Sequence, residues 1–229
     1  MKLRSALLIV ALVIIIDQAL KIWIKTSFPL GRVMYVGGQN WAQLYFIENP
    51  GMAWGMELGG SWGKLLLTLF RLAAVTFGSW YLLRIVKRGY STGFIICASL
   101  IYAGALGNLI DSMFYGMIFS ASDGAQIARA FPPGGGYGGF LHGKVVDMLY
   151  FPIIENAKVP DWIPFIDRNQ PGGATFTFFS PIFNIADASI SIGVITLLLF
   201  QKRFLHKEEV VKQGPAQTTV SSEEAQPSM

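Results

Sequence analysis

Charge is scarce in this chain: 14% of its 229 residues are Asp, Glu, Lys or Arg, against about 25% in an ordinary soluble domain. With 52% hydrophobic residues, the composition excludes a soluble globular protein and indicates an integral membrane protein. Cysteine is almost missing. The single Cys97 excludes a disulfide framework and a Cys-based metal site, and its apolar neighbours make it a small packing residue. The two histidines, His142 and His206, lie in different regions, and no His-Glu-x-x-His occurs. An intramembrane zinc protease is therefore excluded. A serine nucleophile also has little support, because His142 is the only outward histidine available as its base. Neither a metal nor a cofactor is expected. The net charge of +4 follows membrane topology and does not require a nucleic-acid partner.

What the chain does have is long apolar runs. A transmembrane helix needs about 20 mostly apolar residues, and residues 5–24, 64–83, 93–111 and 182–204 qualify. The first run carries Asp17 and Lys21 and lacks a small-x-small cleavage site, so it reads as a retained span. Basic residues fix the orientation. Lys2 and Arg4 precede the first span, Arg84, Lys87 and Arg88 join the second to the third, and Lys202, Arg203 and Lys207 follow the fourth. With four spans all three clusters share one side, so both termini are expected in the cytoplasm, with segments 25–63 and 112–181 outside. Residues 208–229 are polar and rich in Ser, Gln and Glu, and read as a disordered tail.

The outer segments have structure of their own. Gln43-Leu-Tyr-Phe-Ile47 before Asn49-Pro-Gly51 predicts a strand and turn, hence a small extracytoplasmic β element. Residues 130–143 are rich in Gly and Pro without periodicity, and read as a mobile insertion. Trp23, Trp41, Trp54, Trp62 and Trp162 fall near the expected interfaces, where aromatic belts form.

Against this background the acids stand out. Asp17, Asp111, Asp147 and Asp187 sit in or beside apolar segments, where an ionisable group is costly and points to function. Asn108 and Asp111 are three apart, as are Asn184 and Asp187, a spacing that puts each pair on one helical face. Gly104 and Gly107 flank the first of these faces and permit close helix packing. Asp17 and Lys21 are four apart, so an ion pair along the first span is available. Two acids brought together can share a proton, as in aspartic proteolysis; a polar clamp between helices is the competing use of the same residues. Gly138-Gly-Phe-Leu-His-Gly-Lys144-Val145 nearly matches a phosphate-binding loop. Val145 replaces the metal-binding hydroxyl, and the loop lies on the outer side, which sets nucleotide binding aside.

Five segments together resemble one family, the lipoprotein signal peptidases (signal peptidase II). They are Asp17-Gln-Ala-Leu-Lys21, Glu48-Asn-Pro-Gly-Met-Ala-Trp-Gly55, Gly104-Ala-Leu-Gly-Asn-Leu-Ile-Asp111, Val145-Val-Asp147 and Phe183-Asn-Ile-Ala-Asp187. The resemblance implies a bacterial inner-membrane aspartic endopeptidase, its active site on the periplasmic side. It would cut prolipoproteins N-terminal to a diacylglyceryl-modified cysteine. Residues 1–207 would form one peptidase unit, with Asp147 and Asp187 catalytic. One acid would be ionised to accept a proton from water, and the other protonated to polarise the scissile carbonyl. Asn49, Gly104, Asn108, Asp111, Asn184, Asp17 and Lys21 would bind substrate or orient the site. The resemblance also implies a lipidated prolipoprotein substrate, contact with membrane lipid, blockage by globomycin-type inhibitors, and a monomer. The family places arginine after the aspartate of Gly-Asn-x-x-Asp, whereas this chain has Ser112, so Lys144 or Arg129 is the expected substitute partner for Asp111. The rival reading is a small proton- or cation-coupled transporter, in which membrane acids carry the ion.

Overall fold

The computed structural model describes residues 1–50, 60–158, 175–178 and 180–205. The expected tail therefore lies outside the described residues, as do Trp54, Trp162 and residues 51–55 of the second motif. Four helices are long and apolar enough to cross a membrane: Leu3–Ser27, Trp62–Lys87, Thr92–Ile118 and Ile185–Phe204. The expected spans fall inside these helices with one correction. Ile182 and Phe183 form a strand, so the fourth helix starts at Ile185.

The chain runs α1 (Leu3–Ser27), β1 (Val33–Tyr35), β2 (Gln43–Asn49), α2 (Gly60–Lys87) and α3 (Thr92–Ile110). A π-turn at Asp111–Tyr115 leads into the short α4 (Gly116–Ile118), followed by β3 (Val145–Tyr150), β4 (Ile154–Lys158), β5 (Thr175–Phe178), β6 (Ile182–Phe183) and α5 (Ile185–Leu205). Gly89 ends α2 at φ +68°, the left-handed conformation that glycine enters without steric cost. Ser91 then caps α3 by accepting a hydrogen bond from the Phe94 N–H.

α3 is the central helix. It packs against α1, α2 and α5, and half of its apolar window is buried against about a fifth for the other spans. Leu8, Leu12, Ile15, Leu66, Phe70, Phe77, Leu198 and Leu199 turn outward, an apolar surface suited to the hydrocarbon of a bilayer. Gly104 lets α5 approach α3: a Cβ there would lie 2.2 Å from the Ala186 carbonyl oxygen.

Above the helix ends lies an antiparallel sheet in the order β1-β2-β3-β6, with β4 and β5 pairing separately. Leu44 faces Leu149, yet Ile47 faces Asp147, so β2 carries an extra residue there, a β-bulge. Phe183 pairs with Leu149. β6 is therefore held on β3 immediately before the chain enters α5, which brings the start of α5 beside Asp147.

Residues 130–143 are not the loose insertion that their composition predicts. Their backbone is laced to the end of the third span: Tyr137, Gly138, Leu141 and Gly143 donate to the carbonyls of Phe119, Gly116, Met113 and Ser112 at 2.9–3.1 Å. Gly143 packs so tightly that a Cβ would lie 2.0 Å from the Asp111 carbonyl oxygen. The glycines here serve close backbone approach, a use that composition alone does not separate from mobility.

Candidate active site

Asn184 is the hinge of the site. It immediately precedes α5, and its Oδ1 accepts from the Asp187 N–H at 2.8 Å, while its own N–H reaches Asp187 Oδ2 at 3.4 Å. This is the reciprocal capping-box arrangement, in which cap and third helical residue satisfy each other. The three-residue spacing thus reflects a cap and not two residues on one helical face. The remaining Asn184 Nδ2 donates to Asp147 Oδ1 at 2.6 Å and to the Val146 carbonyl at 3.3 Å. One side chain therefore contacts Asp147 and caps the helix that carries Asp187.

Asp147 is 2% exposed in the buried strand Val145–Met148. Burial pushes its carboxyl up to about 7, and the negative charge of Asp187 adds to the rise. The Lys21 charge and hydrogen bonds with Asn184 and Asn49 oppose it. A carboxylic acid in such surroundings keeps its proton far more readily than one in water. Asn49, at the end of β2, is thus one of the groups hydrogen-bonded to Asp147.

Beneath the two acids lies a second, fully buried group. Lys21 pairs with Asp17 and with Asp111, each at 2.8 Å, and donates to Asn108 Oδ1 at 2.9 Å. Asn108 donates in turn to Asp187 Oδ1 at 2.7 Å. Asp17 Oδ1 accepts from the Ala186 N–H at 2.9 Å, which fastens the first turn of α5 to α1. Three helices meet in this network. The clamp and the candidate dyad are thus adjacent layers of one polar cluster, and all nine residues selected from sequence belong to it or to its packing.

The expected substitute for the family arginine is corrected. Asp111 is partnered by Lys21, and also accepts from Gln18 Nε2 at 2.8 Å. Lys144 instead pairs with Glu48 at 3.4 Å, a buried acid also held by Lys25 and by Ser122 at 2.7 Å. Arg129 is seen using its backbone N–H, which donates to Ser120 Oγ. Sequence reasoning passed over Gln18 and Arg71. Gln18 sits inside a selected motif as a neutral residue. Arg71 was legible as an isolated charge within the apolar run 65–75; its Nη1 donates to Ser112 Oγ at 2.7 Å.

The arrangement supplies a protonatable acid, a second acid held by amide donors, and a neighbouring helix N-terminus. Among the described residues no cluster of three or more His, Cys, Asp or Glu has the geometry to hold a metal ion.

The chain is 50% identical over 196 residues to a lipoprotein signal peptidase of Porphyromonas gingivalis, covering 85% of this chain and 81% of that protein. It is 33% identical over 218 residues to a lipoprotein signal peptidase of Amoebophilus asiaticus, covering 93% and 84%. A bacterial membrane enzyme solved by the in meso method at 2.3 Å superposes with a TM-score of 0.54 at 25% identity, over 92% of this chain and 96% of that one. The profile for signal peptidase (SPase) II matches residues 9–203, and the chain belongs to that family of membrane proteases.

Proposed function

We propose that the protein removes the signal peptide from diacylglyceryl-modified prolipoproteins, cutting on the N-terminal side of the lipidated cysteine. The observation that carries this reading is the pairing of Asp147, raised to about 7, with Asp187 through the single side chain of Asn184. Asp147 serves as the protonated member and Asp187 as the carboxylate. Asp187 takes a proton from a water whose oxygen bonds to the scissile carbonyl carbon, while Asp147 gives its proton to the carbonyl oxygen. In the collapse, Asp187 passes its proton to the leaving nitrogen as the C–N bond breaks. Asp147 regains a proton from the tetrahedral intermediate. The products are a carboxylate-ended signal peptide and a lipoprotein with a free amino group.

Residues 1–207 act as one peptidase unit in the bacterial inner membrane. The basic clusters put both termini in the cytoplasm and the acids toward the outer face. The substrate's acyl chains remain in the bilayer while the cleavage site enters from the interface, and globomycin-type inhibitors occupy the same place. The transporter reading fits less well. Transport needs acids spread along a route across the membrane, whereas Asp17, Asp111, Asp147 and Asp187 gather in one network.

The test is product analysis. The purified protein in detergent is given a synthetic precursor peptide with and without the diacylglyceryl group. Mass spectrometry is expected to find cleavage of the lipidated peptide alone, on the N-terminal side of its cysteine. Equal cleavage of both peptides, or a cut elsewhere, would refute the assignment.

A further inference from the structure

We infer that Arg71 is a positioning residue for the acid pair, entering from α2 over Ser112 and holding Asp187 as its carboxylate member. The inference rests on the reading of Asp147 and Asp187 as the dyad. Arg71 lies eleven residues into α2, about 16 Å along the helix at 1.5 Å per residue. That depth is costly for a guanidinium facing lipid, and intramembrane arginines turn toward polar interiors. Arg71 does so. Its Nη1 donates to Ser112 Oγ at 2.7 Å, and that hydroxyl donates to the Asn108 carbonyl at 2.9 Å. Asn108 is the residue whose amide holds Asp187. The guanidinium charge also acts on Asp187, Asp111 and Asp147.

Charge balance explains why α2 supplies a cation here. Four acids, Asp17, Asp111, Asp147 and Asp187, converge on the site. From α1, Lys21 is taken up by Asp17 and Asp111. Lys25 of α1 and Lys144 of the segment before β3 are drawn to Glu48. Lys64 of α2 donates to the Pro50 carbonyl and acts on Asp111. Arg71 is linked to Asp187 through Ser112 and Asn108. Ser112, fully buried and short, leaves the space through which the guanidinium enters from the facing helix. The positive charge that an arginine at position 112 would bring from the π-turn after α3 is delivered by α2.

The experiment measures kcat and KM against pH with the purified full chain and a synthetic diacylglyceryl peptide. Arg71→Gln is expected to move the acidic limb of kcat upward by about one pH unit, because losing a nearby opposite charge raises a carboxyl pKa by that order. Below that limb kcat falls about tenfold, with KM changed little. Arg71→Lys keeps the charge and loses the fork, so the limb stays while kcat drops. Arg71→Gln combined with Ser112→Arg returns the limb toward its original pH. A purely structural role would lower kcat or thermal stability without moving the limb, and that outcome overturns the inference. Should Arg71→Gln fail to fold, the apolar Arg71→Met removes the same charge, and a limb that does not move there overturns the inference equally. Asp187→Asn separates the two claims. An active Asp187→Asn removes the dyad itself, whereas an inert Asp187→Asn beside an unshifted Arg71→Gln removes only the role of Arg71.

Discussion

Asn184 Nδ2 donates to Asp147 Oδ1 across 2.6 Å while the rest of the same residue caps the helix bearing Asp187. Truncating it disturbs both acids at once. Asn184→Ala is expected to lower kcat about a hundredfold, the scale of loss from roughly 1 Å misplacement of reacting groups. It should also cost about 1 kcal/mol of stability as a lost helix cap. Single-turnover cleavage and thermal unfolding in detergent check the two effects separately. Normal kcat with reduced stability would leave Asn184 as a cap alone.

The raised carboxyl of Asp147 sets an upper pH boundary. In the proposed mechanism the group acts while protonated, and its value of about 7 lies above the ordinary carboxylate range. Activity is therefore expected to fall as pH rises through about 7, by tenfold per unit on the alkaline side. The measurement is kcat as a function of pH for the wild-type protein. A plateau extending unchanged to pH 9 would contradict the protonated role of Asp147.

Lys21 holds two buried carboxylates, so its removal leaves Asp17 and Asp111 facing each other without a cation. Breaking a buried pair by deleting one partner typically costs about 3–5 kcal/mol. Lys21→Met should lower the thermal midpoint strongly. Adding Asp111→Asn to it should restore part of the loss. Additive destabilisation by the two changes would show that the pair is not coupled.

Gly104 and Gly143 are places where backbone meets backbone. A Cβ at Gly104 would press on the Ala186 carbonyl and force α5, with Asp187, away from α3. Gly104→Val is expected to destabilise by about 1–3 kcal/mol, as overpacking does, and to lower kcat more than KM rises. Gly143→Ala should destabilise the lacing of residues 130–143 in the same way. Unchanged melting of both variants would contradict the close approach.

Much of this site was legible in the chain because charge among hydrocarbon is conspicuous. Asp17, Lys21, Asp111, Asp147 and Asp187 stand out against apolar neighbours, and spacing alone pairs Asp17 with Lys21. The strand at Gln43 was also visible in its β-prone residues. Other features depend on contacts that sequence periodicity does not encode. Ile182 and Phe183 look like the start of a span, yet pairing with Leu149 and Tyr150 makes them a strand. Asn184 looks like a helical neighbour of Asp187 and is its cap. Glycines 134–139 read as freedom, whereas Gly136 and Gly143 abut the carbonyls of Gly116 and Asp111. A deletion of 134–139 looks harmless from composition. It would in fact remove Tyr137, whose hydroxyl accepts from the Lys144 N–H at 2.7 Å just ahead of β3. Arg71 stands out as a lone charge in an apolar run, but its partner Ser112, forty-one residues away, does not follow from spacing.

The central claim is that Asp147 and Asp187 together perform the hydrolysis. It is tested most directly by single-turnover cleavage of a diacylglyceryl peptide by purified Asp147→Asn and Asp187→Asn, each shown by thermal unfolding to be folded. Both variants are expected to lose about a thousandfold or more in rate, the scale of general acid–base catalysis. A folded variant of either kind that cleaves within tenfold of the wild-type rate would contradict the account.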